Sequence, residues 1–117
     1  MSSLGVEFVA VVGHTGCGAI TAAYDTVFDA NAEAHTSPAV HEAVERLVPV
    51  VRSARDDGAV DADTPRAEAV NRLVEYAVRE QVSFLDADPE VPATVTVAGF
   101  VYDFQRAYGG ADGTAYL

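Results

Sequence analysis

The residues able to do chemistry are concentrated in one short stretch, Gly13-His14-Thr15-Gly16-Cys17-Gly18. Imidazole and thiolate are both good Zn²⁺ ligands, and unpaired N–H groups at a helix N-terminus favour the thiolate form of a cysteine. Glycines at positions 13, 16 and 18 allow a turn tight enough for both side chains to face one point. Zinc takes three or four protein ligands, and His14 and Cys17 supply two. His35, His41 or a carboxylate from a second copy are candidates for another, although His35 reads as a loop residue and His41 as a solvated residue on an acid-rich helix. Two alternatives stay open on the residues alone. Cys17 is a nucleophilic or redox thiol with His14 as its base, or it is a small buried cysteine in a turn where His14 is only hydrogen-bonded. Nucleotide chemistry is excluded more firmly. Gly13-x4-Gly18 has phosphate-loop spacing, but Ala19 and Ile20 stand where lysine and Ser/Thr are required. The dinucleotide fingerprint also fails, because the glycines fall as G-x-x-G-x-G.

The elements that must position this loop follow from hydrophobic periodicity. Val6, Phe8, Val9, Val11 and Val12 form a nearly continuous apolar run ending at Gly13, the pattern of a strand buried on both faces of a parallel sheet. Ile20, Ala23, Tyr24, Val27 and Phe28 recur at helical spacing, predicting a helix from near Cys17 into the Asp29 to His35 region. Ser37-Pro38 starts a second helix with Val40, Val44, Leu47, Val48 and Val51 on one face, and Pro49 should kink it. After a polar connection over 56–63, Thr64-Pro65 repeats the start signal. Val70, Leu73, Val74, Ala77, Val78, Val82 and Leu85 then mark a long helix. From Ala93 to Phe104 the period becomes two, with Val95, Val97 and Val101 on one side and Phe100, Tyr102 and Phe104 on the other. Tyr102 and Asp103 read as packing and edge residues. Gly109-Gly110 and Asp112-Gly113 are turn material before a short strand at Thr114 to Leu117. The order predicts a single α/β domain over residues 1–117, mainly a parallel sheet flanked by helices.

Composition sets the outer bounds. At 117 residues the chain is long enough for one core, burying roughly 65% of its unfolded surface. No apolar run approaches the roughly 18 residues of a membrane span, and the uncharged start does not read as a secretory signal, which points to the cytoplasm. Cys17 is the single cysteine, so no internal disulfide is possible. Eighteen acidic residues against seven basic ones, all arginine, give a net charge of -11. That balance repels phosphate backbones and anionic membranes. An acidic, lysine-free surface suits a cytoplasm of high salt, where the Debye length falls toward about 3 Å.

Three blocks carry a family resemblance. Val9-Ala-Val-Val-Gly-His-Thr-Gly-Cys-Gly-Ala19 resembles the zinc loop of β-class carbonic anhydrases, whose strand ends in Gly-His-Thr-x-Cys-Gly. Val70-Asn71-Arg72-Leu73 through Gln81-Val82-Ser83-Phe84-Leu85 is similar to the family's long helix with its Asn-x-x-x-Gln-Val-x-x-Leu type of pattern. Val97-Ala98-Gly99-Phe100-Val101-Tyr102-Asp103 resembles its Gly-x-x-Tyr-Asp strand. The resemblance implies a zinc lyase, a carbonate dehydratase interconverting CO2 and bicarbonate, working as an oligomer of identical chains. By resemblance His14 is the histidine ligand and Cys17 the second of two cysteine ligands, and the composition matches salt-adapted archaeal members.

The departure from the pattern lies upstream. The family's other cysteine belongs to a Cys-x-Asp-x-Arg segment whose aspartate and arginine assist the metal-bound water, and this sequence contains no such segment. The expectation is a domain truncated at its amino end, lacking the strand and helices found there and keeping half a zinc site, with weak or no activity. The alternative is a non-catalytic remnant, or a zinc-binding or oligomerising module that needs a separate amino-terminal half. The composition also makes its own prediction: the chain should be folded in molar salt and lose far-UV helical signal in dilute buffer. Equal stability in both would overturn the salt adaptation.

Overall fold

The computed structural model describes residues 8–28, 38–110 and 114–117. Its elements are β1 (Phe8–His14), α1 (Gly18–Phe28), α2 (Pro38–Asp56), α3 (Arg66–Ala87), β2 (Thr96–Asp103) and β3 (Thr114–Tyr116). The strands form one sheet in the order β1-β2-β3. β1 and β2 run parallel in a register from Phe8 opposite Thr96 to His14 opposite Tyr102. β3 pairs antiparallel with β2, with Tyr102 opposite Ala115. The sheet is therefore mixed, half parallel and half antiparallel, where a mainly parallel one was expected.

Each helix forms where its apolar stripe meets a partner. α3 buries Ala69, Val70, Leu73, Val74 and Val78 and packs across β1 and β2. On its other flank lie α1, through Ile20, Ala23 and Tyr24, and α2, through Val44, Val48, Val51 and Ala54. Arg66 on α3 reaches Asp25 on α1 with two bonds of 3.0 and 2.7 Å. Tyr76 of α3 donates to Asp57 at 2.6 Å and meets the Ser53 hydroxyl at 2.9 Å, pinning the end of α2. α2 runs unbroken through the exposed Pro49. It stops at Gly58, which has φ +79°. There Ala59 N–H bonds to the Ala54 carbonyl and Gly58 N–H to that of Arg55, a left-handed helix stop that turns Val60 into the core.

Several expectations change. Thr64 does not cap α3; its hydroxyl closes a turn on Asp61, and the helix starts one residue later than expected, with the Pro65 carbonyl accepting from Ala69 at 2.8 Å. β1 is not buried on both faces. Its residues alternate between exposed and half-buried, and Phe8 and Val12 are 53% and 61% exposed. The reason is that α3 covers one face only, so the helices do not flank the sheet among the described residues, and β1 is an edge strand. Val6, His35 and Ser37, and the part of the first helix expected beyond residue 28, lie outside the described residues. Among the described residues no helix is long and apolar enough to cross a membrane.

Gly13 lies in β1, and its lack of a side chain lets α3 approach. A Cβ there would sit 2.7 Å from Val74 Cγ1 and 2.9 Å from Val78 Cγ2, on β-branched side chains that cannot swing aside. Gly18, by contrast, has nothing within 4 Å. Gly13→Ala is therefore expected to destabilise the fold by about 1–3 kcal/mol in urea denaturation, whereas Gly18→Ala should be tolerated. Equal effects would refute the close-approach account.

Candidate metal centre

β1 delivers His14 at its carboxyl end, and Cys17 immediately precedes α1. The Cys17 carbonyl accepts the Thr21 N–H at 2.9 Å and the Thr21 hydroxyl at 2.8 Å, so Cys17 occupies the cap position. Cys17 is half-buried there, at the helix end whose first-turn N–H groups lack intrahelical partners. His14 and Cys17 line one cavity of ≈ 240 Å³ whose other walls are mostly apolar, including Val11, Val12, Ile20, Val74 and Val78, with Gln81 at its border. His14 Nδ1 lies 3.0 Å from the Thr15 carbonyl oxygen. A proton donated there leaves the Nε2 lone pair for a ligand, the arrangement that metal-binding histidines use. The Phe104 ring meets the imidazole edge-on at 5.7 Å and packs on Tyr102 at 4.7 Å.

The loop between the two donors is held by residues distant in sequence. Thr15 is 3% exposed, and its N–H continues the ladder to the Tyr102 carbonyl at 3.0 Å. Its hydroxyl uses all its capacity, accepting from Phe104 N–H at 2.9 Å and Gln105 N–H at 3.2 Å and donating to Asp103 Oδ1 at 3.4 Å. Asp103, fully buried, also accepts from Gln105 and Ala107 N–H at Oδ1 and from Tyr108 N–H at Oδ2. Burial pushes its carboxyl up, but the N–H groups of Tyr108, Ala107 and Gln105 and the Thr15 hydroxyl outweigh that and hold it below the ordinary carboxylate value. Of the loop glycines only Gly16 has a positive φ, +66°. Its N–H is taken by Asn71 Oδ1 at 2.9 Å.

Thr15, Asn71, Asp103 and Gln105 escaped the sequence reading as site residues. One signal was available for Asp103. The period-two pattern that places Val97 and Val101 inward puts Asp103 on the same face, where an acid needs buried partners. The other expected donors do not join the pair. His41 lies exposed on α2, 2.9 Å from Glu45, and does not line the cavity. Among the described residues no group of three His, Cys, Asp or Glu comes together. The donor chemistry of His14 and Cys17 fits zinc, as two positions of a tetrahedral set that the described residues do not complete.

A carboxylate held below its ordinary value stabilises the fold above about pH 4, and that contribution is lost as pH falls through its depressed value. Asp103→Asn is expected to lower the thermal midpoint at pH 7 and to flatten the acid limb of the stability profile. An unchanged acid limb would remove Asp103 from the account of the loop.

The strand, loop and helix that carry His14 and Cys17 agree with what the whole sequence is similar to. The sequence model of the family described as carbonic anhydrase matches residues 1–109. No curated protein matches the sequence. A match over nearly the full length, with its Gly-His-Thr-Gly-Cys-Gly segment folded as the wall of an apolar cavity at a strand end, leads to one conclusion: the chain belongs to the β-class carbonic anhydrase family.

Proposed function

We propose that this chain is a carbonic anhydrase-type zinc domain for the interconversion of CO2 and bicarbonate, with His14 and Cys17 as metal ligands. The observation that carries the reading is that both residues line one cavity at the carboxyl end of β1, the place where α/β sheets hold their ligands. Bound zinc supplies Lewis-acid activation of water at neutral pH. The chain's own part is to present His14 Nε2 and the Cys17 thiol from a loop fixed by Thr15 and Asp103. The cavity's mostly apolar walls suit an uncharged molecule such as CO2. The acidic, lysine-free composition supports a salt-rich cytoplasm as its setting.

The site proposed is half a site. Cys17 is the chain's single cysteine, and two donors hold zinc loosely, so little CO2 hydration is expected of this chain alone. One further observation supports a second reading, a module completed by another polypeptide, whether a second copy or a separate amino-terminal piece. Four consecutive residues of β1, Val11, Val12, Gly13 and His14, line the cavity, and among the described residues β1 pairs on one side only, with β2. An added strand there could bring another donor.

Zinc content per chain after dialysis and stopped-flow CO2 hydration test both readings. The expected result is substoichiometric zinc that Cys17→Ser removes, with hydration near background. Stoichiometric zinc and rapid hydration by the chain alone, abolished by Cys17→Ser, would show the site complete. Zinc retention indifferent to Cys17→Ser would refute the assignment of the ligand. Zinc and activity that appear only with an added partner chain would favour the second reading.

A further inference from the structure

Asn71 touches the loop between the two candidate ligands without reaching their cavity. The ≈ 240 Å³ cavity holds His14 and Cys17 but neither Asn71 nor Gln105. Asn71 and Gln105 instead line a separate cavity of ≈ 450 Å³ against α3 and the turn after β2. Asn71 Oδ1 accepts the Gly16 N–H at 2.9 Å, and Asn71 Nδ2–H donates to Gln105 Oε1 at 3.3 Å. The Gln105 amide closes the other side of Gly16, since a Cβ built there would lie 2.5 Å from Gln105 Nε2. Gly16 is thus gripped from α3 and from the end of β2.

We infer that Asn71 is a positioning residue for the metal, fixing the Gly16 peptide so that His14 and Cys17 are presented at one spacing; the inference rests on the zinc reading above. Glycine has the greatest backbone freedom of any residue, and Gly16 holds a left-handed conformation between the donors. Left unheld, it would let the two donors move independently, and ordering them on binding would weaken the metal's affinity. Asn71 removes that freedom in advance and touches no reacting atom. Gln105 orients the Asn71 amide, so that its oxygen and not its nitrogen meets the Gly16 N–H.

The test is a Co²⁺ titration of the full chain, followed by thiolate-to-metal charge-transfer absorption, with Gly16 amide exchange measured by NMR. Asn71→Leu is expected to weaken Co²⁺ binding roughly ten- to a hundredfold and to speed Gly16 exchange, with the far-UV spectrum unchanged. Asn71→Asp keeps an oxygen for the Gly16 N–H and is expected to restore both. Parent-like Co²⁺ binding and Gly16 exchange in Asn71→Leu would overturn the inference. If that variant does not fold, Gln105→Ala decides in the same way: weaker Co²⁺ binding with faster Gly16 exchange supports the inference, and parent values overturn it. A parent chain whose Co²⁺ absorption does not depend on Cys17 would overturn the zinc reading and this inference together. A Cys17-dependent band with a parent-like Asn71→Leu would overturn this inference alone.

Discussion

A buried carboxylate with every lone pair to satisfy governs the functional end of this molecule. Asp103 closes β2 and is fully buried, so it must gather donors, and it takes them from the turn that follows it and from the Thr15 hydroxyl. The Thr15 hydroxyl in turn accepts two N–H groups from the same turn. A strand end, a turn and the loop carrying His14 and Cys17 therefore form a single hydrogen-bonded junction. None of these groups can move without breaking a hydrogen bond to the buried Thr15 or Asp103 side chain.

The junction works because α3 lies close behind it. Gly13 on β1 and Gly99 on β2 offer no side chain where Val74, Val78 and Val82 press down, so the helix settles against the sheet. The same helix carries Asn71 to the loop. α3 is thus both the floor of the core and the support of the candidate centre, while α1 and α2 complete the apolar layer on its other flank.

The opposite face of the sheet differs. Phe8, Val12, Tyr102 and Phe104 stand exposed, and among the described residues β1 forms an edge and the strand that leads to His14 is packed on one side only. A hydrophobic run states that a strand can be buried on both faces and does not state what buries it. That is why the apolar run of β1 predicts burial on both faces while the described chain presents it at a border, next to a donor pair that the described residues do not complete.

The sequence by itself determined the element types, their order and the location of the chemistry. Helical spacing defined the stripes of α1, α2 and α3, period-two alternation marked β2, and Gly-His-Thr-Gly-Cys-Gly placed two donors at a strand end. These are local patterns that neighbouring residues encode together. Tertiary structure alone decided which groups hold the loop, because Thr15 meets Asp103 across 88 positions and Gly16 meets Asn71 across 55. It also decided why the glycines differ: Gly13 admits a helix, Gly16 takes a left-handed turn and Gly18 meets nothing. Periodicity reports that a residue faces inward; only packing brings two inward-facing polar groups within hydrogen-bond distance, and it is that meeting which fixes the candidate centre.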